Sequence, residues 1–169
     1  MVGDKFNIEK FKVVLHYIID KCGCQVNVGR ILVYKLLYFS DFNFFELYEY
    51  SLTSETYIKF PEGPVPFHFE DSIKELINEE KVFEKSEPFL DNKKYFYSSL
   101  KKPDTSILMC KEIEVIDNVI FGLSSMSVAQ FSDYFFGDMP WKATEDFEPI
   151  DYAFVFYRDP EYTVRIYDE

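Results

Sequence analysis

The stretch from Asn27 to Tyr48 constrains the fold most, because apolar residues cover nearly the whole circumference of the helix that it predicts. A helix at the surface of a domain has one apolar stripe, whereas a helix that is apolar on all sides is buried on several. The positions that define it are Ile31, Leu32, Leu36, Leu37, Phe39 and Phe42. The sequence therefore predicts a domain built around this central helix.

Four further helices are predicted from apolar residues that recur at helical spacing. The first begins after its cap, Asn7, and ends at Gly23. The last begins at Ser127 and ends near Phe136, and Gln130 completes a capping box. The other two span about residues 66–80 and 106–123. We expect all four to pack their single apolar faces around the central helix.

Short β elements are predicted between the helices. The alternating run Thr56–Phe60 has the pattern of a strand, and the runs Lys81–Lys85 and Lys94–Ser98 predict a hairpin. Between them, the three prolines of Pro61–Pro66 remove backbone donors, so we expect a loop there rather than a strand or a helix. The aromatic run Ile150–Tyr157 fits either a strand or a helical turn.

These elements predict a mainly α fold with a small β element, of the α+β class. A hydrophobic content of 47% is normal for a packed domain and excludes disorder as the main state. A length of 169 residues favours one domain over 1–169. We expect its core to span about residues 6–157 and residues 158–169 to form a polar tail.

The charge of the chain excludes one class of partner. Thirty acidic and 18 basic side chains give a net charge of −12. The predicted helix at 66–80 and the hairpin follow the order of a winged helix, but that helix has only Lys74 against five acidic residues. Nucleic-acid binding needs Lys and Arg to neutralise phosphates. We therefore predict no nucleic-acid binding and a basic protein partner, and leave the oligomeric state open.

Several other classes lack support in the sequence. No apolar run approaches the ~20 residues that cross a bilayer, and the three cysteines, Cys22, Cys24 and Cys110, fit a reducing compartment. We expect a cytoplasmic protein without membrane association. Cys-Gly-Cys is one residue short of the C-x-x-C spacing, so we expect no metal site. No phosphate-binding loop or nucleophile elbow is present, which predicts no cofactor, no catalytic residue and no enzyme activity.

Aromatic residues crowd the end of the central helix too densely for one core-facing stripe. Exposed aromatic patches mark interaction sites. We therefore expect this helix end and the Pro61–Pro66 loop to form one docking face, composed of Phe44, Phe45, Tyr48, Glu62, Val65 and Phe67. The acidic run from Glu145 to Glu148 is expected to be a solvated loop.

Two charged residues, Lys35 and Asp41, interrupt the central helix. Because buried charges are costly unless they are paired, these residues either face solvent, pair internally, most specifically in a salt bridge, or contact a partner. Tyr57 and Trp141 are expected in the core.

Ordered short segments also resemble a known family. The segments are Lys-Leu-Leu-Tyr-Phe-Ser-Asp-Phe at 35–42, Thr-Tyr at 56–57 and Gly-Pro-Val-Pro at 63–66, followed by Ser127 to Trp141. In this order they resemble the SocA-like antitoxin domain, or Panacea domain, over roughly residues 6–150. The family-motif positions are Lys35, Tyr38, Asp41, Tyr57, Gly63, Pro64 and Trp141.

The chain departs from the family pattern at three places. Phe135-Phe136 replace a Thr-His pair, Gln130 stands at a glutamate position, and Glu62 stands where an aromatic residue is common. A role of that histidine therefore does not carry over to this chain.

The resemblance implies a compact helical domain that acts as the antitoxin of a bacterial or phage toxin–antitoxin pair and neutralises a toxin protein by direct contact. The alternative is a proteolytic adaptor, or an interaction protein of a phage, prophage or other mobile element without a dedicated toxin. A winged-helix regulator and an enzyme are the other classes considered, and the charge and the missing motifs disfavour both.

Overall fold

The computed structural model describes residues 5–22 and 29–168. The α-helices are α1 (Ile8–Cys22), α2 (Arg30–Tyr48), α3 (Phe69–Asn78), α4 (Cys110–Ser124), α5 (Val128–Phe136) and α6 (Met139–Lys142), followed by a 3-10 helix (Tyr152–Tyr157). The strands are β1 (Tyr57–Phe60), β2 (Gly63–Pro66), β3 (Val82–Phe89) and β4 (Asn92–Ser99). With 48% helix and 17% strand, the predicted α+β class is confirmed.

The central position of α2 is also confirmed. It contacts α1, α4, β2, β4 and the 3-10 helix. Its buried side chains point in all directions around the helix and include Leu36, Leu37, Phe39 and Phe42. An all-round apolar helix needs neighbours on every side. The smaller elements supply them.

Two predicted helix caps are present in the structure. Asn7 Oδ1 accepts hydrogen bonds from the backbone N–H groups of Glu9 and Lys10, at 3.0 and 3.2 Å. Ser127 and Gln130 form a reciprocal capping box at the start of α5. Glutamine serves here as well as the family's glutamate, because its side-chain oxygen accepts from the Ser127 N–H at 2.9 Å. Gly23, the predicted end of α1, lies outside the described residues.

The prediction of a loop at Pro61–Pro66 is wrong, because Gly63–Pro66 forms strand β2, antiparallel to β1. Phe67 N–H donates to the Thr56 carbonyl at 2.9 Å. Hydrogen-bonded pairs alternate along such a ladder, so Pro64 and Pro66 occupy positions whose missing N–H would point away from β1. The register therefore accommodates both prolines.

The last segment of the chain packs along α2. The run Ile150–Tyr157, which fitted a strand or a helical turn, contains the 3-10 helix. Packed residues continue beyond 157, because Arg158 and Tyr162 are buried although the sequence places them in the polar tail. Within residues 5–22 and 29–168, no helix has both the length and the apolar character to cross a membrane.

Candidate functional site

The ammonium group of Lys35 lies near three aromatic rings. Its Nζ is 5.8, 5.2 and 5.0 Å from the ring centroids of Phe131, Phe135 and Phe136, and the residue is only 5% exposed. In the part of the chain that the structure describes, no carboxylate forms an ion pair with it. Burial lowers the pKa of its ammonium group. Two of these rings stand at the positions of the family's Thr-His pair, so the departure from the family pattern places aromatic faces around a buried cation.

Gly63, which belongs to a second family motif, packs against Lys35. Gly63 has φ +149°, and a Cβ built on it would lie 3.4 Å from Lys35 Cε. A side chain here would both strain the backbone and crowd the lysine stem. The glycine of the β1–β2 hairpin therefore lets strand β2 approach α2 beside this cation.

Asp41 is buried and accepts hydrogen bonds from three donors. They are Thr53 N–H at 2.8 Å, Thr53 Oγ1 at 2.6 Å and Tyr57 OH at 2.6 Å. Burial raises the pKa of the carboxyl to about 6, although the three hydrogen bonds lower it. Asp41 thus pairs internally, as one of the sequence-based alternatives expected, but with hydroxyl and amide groups rather than with Lys35. Tyr57 is fully buried, which confirms its place in the core.

Tyr38 belongs to a second buried network, which no local sequence pattern indicates. Its hydroxyl donates to Asp138 Oδ2 at 2.8 Å. Arg158 donates to both oxygens of Asp138, at 2.8 and 2.9 Å, and to Glu46 Oε1 at 3.0 Å. The buried carboxylates raise the pKa of this guanidinium against the effect of burial. The network joins α2, the turn before α6 and the C-terminal segment.

Trp141 and Lys59 connect α6 to the β1–β2 hairpin. Lys59 Nζ donates to the carbonyl oxygens of Trp141 and Thr144, both at 2.9 Å, and lies 4.7 Å from the centroid of the Trp141 ring. Trp141 is buried, as predicted for a core residue. In the hairpin, Lys59 lies opposite Pro64. This connection holds the segment after α6 beside β1.

One residue of the predicted docking face needs a correction. Phe44 is fully buried, with its ring 4.7 Å from Tyr48 and 5.1 Å from Tyr50. Its position on α2 points toward α4, where Lys111 lies 4.5 Å from the Tyr48 ring. Phe44 therefore supports the core and does not lie on an exposed face.

The other five residues of that face reach the surface to different extents. Phe67 is 68% exposed and Tyr48 is 37% exposed, Glu62 is exposed, and Phe45 and Val65 are half-buried. Their role in partner binding stays a prediction.

A different aromatic surface lies at the outer edge of β1, where two exposed rings meet. Phe60 and Phe147 meet edge to face with ring centroids 5.5 Å apart, and Phe147 is 64% exposed. Phe147 N–H donates to the Lys59 carbonyl at 2.6 Å, and Lys59 N–H donates to the Glu148 carbonyl at 3.0 Å. These bonds hold Phe147 at φ +67°, a left-handed conformation that is unfavourable for a bulky residue.

Exposed carboxylates lie within two residues of one or the other of these rings along the chain. They belong to Glu62, Glu145, Asp146 and Glu148. We call these four residues with Phe60 and Phe147 the acidic aromatic surface. The expected solvated loop at 145–148 is thus attached to β1. The only sequence signal for this surface was an aromatic residue, Phe147, inside an acidic run. Phe60 gave no signal, because only the pairing of the loop with β1 brings its ring next to Phe147.

The described residues contain no group of three or more His, Cys, Asp or Glu side chains arranged to hold a metal ion. The arrangement of exposed rings among carboxylates suits recognition of another molecule.

Comparisons with known proteins agree with this description. Residues 33–142, about two thirds of the chain, match the family model described as the Antitoxin SocA-like, Panacea domain. The match contains every family-motif position named above. Searches of curated proteins and of solved structures give no match. The chain therefore belongs to the SocA-like antitoxin family of Panacea domains.

Proposed function

We propose that this protein is the antitoxin of a toxin–antitoxin pair, of bacterial or phage origin, and that it neutralises its toxin by direct binding. Membership of the SocA-like antitoxin family over residues 33–142 supports an antitoxin role. The proposal assigns no catalysis to the chain and places it in the cytoplasm with its partner.

The single observation that carries direct binding is Phe147. A solvent-exposed phenylalanine at φ +67° costs free energy in the folded state and gains little from burial. Backbone strain of this kind, about 1–3 kcal/mol, persists where the surrounding structure enforces it and is concentrated at functional sites. A ring held outward in this way is suited to insertion into an apolar pocket of a partner.

The surrounding charges indicate the kind of partner. Four exposed carboxylates flank the two exposed rings along the chain, and the whole protein has a net charge of −12. A toxin with Lys and Arg side chains around an apolar pocket would complement this surface in charge and in shape. The long-range attraction would also raise the association rate at low salt.

The experiment is expression of the neighbouring reading frame in a host with and without this chain. We expect the neighbour to stop growth alone and to be tolerated when this protein is present. A neighbour that is harmless alone contradicts the proposal. Rescue that coincides with faster loss of the neighbour's product, and that requires a host protease, would support the adaptor alternative instead.

A further inference from the structure

A groove opens beside the first turns of α2, at the opposite end of this helix from Phe44, Phe45 and Tyr48, and Glu62 of the predicted docking face lines it. It has a volume of about 1030 Å³ and lies between the first turns of α2, the tip of the β3–β4 hairpin and the start of α5. Its apolar walls include Ile31, Leu32, Leu36, Tyr95, Phe96 and Phe131. We call it the Lys35 groove, after the buried lysine that lines it. Its size and apolar lining are typical of sites for small organic ligands.

The charge of the groove is opposite to that of the chain. Five basic residues line it, namely Lys21, Arg30, Lys35, Lys93 and Lys94, against two acidic residues, Glu62 and Glu87. The difference, 5 − 2 = +3, contrasts with −12 for the whole protein. Acidic residues outnumber basic ones in this chain, 30 to 18, so an excess of basic residues around one groove indicates an anionic ligand.

Several of these charges are already paired and the others are not. Arg30 forms ion pairs with Glu70 at 2.7 Å and Glu84 at 3.4 Å. Glu87 pairs with Lys85 at 2.9 Å. For Lys35, Lys93 and Lys94, no ion pair is formed with any residue that the structure describes. The positive charge of the groove therefore remains available.

Lys35 provides the strongest indication. Removing an ammonium group from water costs several kcal/mol unless an anion or hydrogen bonds compensate. The rings of Phe131, Phe135 and Phe136 offset part of this cost through cation–π contacts. An anion bound in the groove would supply the missing counter-charge where the low polarity of the walls strengthens the attraction.

We propose that the Lys35 groove binds an organic anion, which carries a phosphate or carboxylate group on a flat apolar body. The anionic group lies at Lys35, with Lys93 and Lys94 at the rim, and the body packs between the aromatic wall from β4 and the apolar face of α2. This site shares Glu62 with the acidic aromatic surface, but the proposal does not depend on the antitoxin role.

The test is isothermal titration calorimetry on the full chain with three probes: AMP, 1-naphthoate and inorganic phosphate. We expect AMP or 1-naphthoate to bind more tightly than inorganic phosphate, and the stronger of the two identifies the anionic group. Lys35→Met should weaken that binding at least about tenfold, whereas Lys74→Met, an exposed lysine on α3, should leave it unchanged.

A second variant keeps the test decisive if Lys35→Met does not fold. The double variant Lys93→Gln/Lys94→Gln changes exposed side chains only, and it should weaken binding severalfold and reduce its dependence on salt. Absence of binding by all three probes at millimolar concentration overturns the proposal. If inorganic phosphate binds as tightly as both AMP and 1-naphthoate, or if both groove variants keep full affinity, the proposal is also overturned.

Discussion

Arg158 donates hydrogen bonds of 2.8 and 2.9 Å from Nε and Nη2 to the two carboxylate oxygens of Asp138, and both side chains are fully buried. The pair lies where α2, α6 and the C-terminal segment meet. Arg158 lies outside the family match, which ends at residue 142. The family region of this chain is therefore fixed by a residue that follows it in sequence.

Replacing Arg158 with methionine should lower the free energy of unfolding by about 3–5 kcal/mol, since Asp138 and Glu46 are left buried without a counter-charge. Urea unfolding at neutral pH measures the change. Arg165→Met is the matched control, because Arg165 is partly exposed and its pair with Glu49 is 3.7 Å long. It should cost less than about 1 kcal/mol. Equal losses of unfolding free energy in the two variants would show that the buried Arg158–Asp138 pair stabilises the fold no more than an exposed ion pair.

Asp41 should make stability fall as the pH rises from 4 to 7. The pKa of its carboxyl is about 6 in the folded protein and 3.8 ordinarily, so the unfolded chain loses this proton first. The contribution of protonated Asp41 is full below pH 4 and is lost as the pH rises through about 6. A shift of about two pKa units corresponds to about 3 kcal/mol.

The measurement for Asp41 is the difference in unfolding free energy between the wild type and Asp41→Asn across this pH range. The variant should be less stable overall, because an amide cannot accept from all three donors of the carboxylate. Its stability relative to the wild type should nevertheless improve with rising pH. A constant difference from pH 4 to pH 7 would contradict the raised pKa.

Phe44→Ala should destabilise the protein by about 3–5 kcal/mol, because the ring is fully buried and its loss leaves a cavity. Thermal or urea unfolding measures this loss. Phe67→Ala, which removes a ring that is 68% exposed, is the control and should change stability by less than about 1 kcal/mol. If Phe44→Ala were as mild as its control, the assignment of Phe44 to the core would be incorrect.

Phe147→Gly should leave the free energy of unfolding unchanged to within about 1 kcal/mol. Release of the strain at φ +67° offsets the loss of the edge-to-face contact with Phe60. Binding to the partner should nevertheless be lost. A large loss of stability would instead assign Phe147 a structural role.

Local patterns were sufficient to predict most of the fold. Apolar spacing and caps such as Asn7 and the Ser127–Gln130 box depend on neighbours three or four residues apart, so sequence alone shows them. The hairpin β3–β4 could be predicted for the same reason, because its two β-prone runs lie close together in the sequence. Strand β2 was missed because Pro64 and Pro66 fit a strand only where their nitrogens point away from β1, and the register of the two strands sets this direction.

The site was harder to predict, since its contacts are long-range. Phe44 and Phe147 show the difficulty. Aromatic density along α2 suggested an exposed face, yet Phe44 is buried next to Lys111 of α4. Phe147, in contrast, is exposed although its backbone N–H donates to the Lys59 carbonyl. Likewise, no local signal connects Arg158 with Asp138 or Glu46. These three residues meet only because the C-terminal segment packs back against α2.

The most direct test of the account is the affinity of the purified protein for the purified product of the neighbouring reading frame. Wild type should bind, and Phe60→Ser/Phe147→Ser should bind at least about 30-fold more weakly, as expected when an interface loses a hot spot of about 2 kcal/mol. Phe83→Ser, which removes an exposed ring on β3, should bind like wild type. Full affinity in the double variant, or no binding by the wild type to a neighbour that is toxic alone, would contradict neutralisation through the acidic aromatic surface.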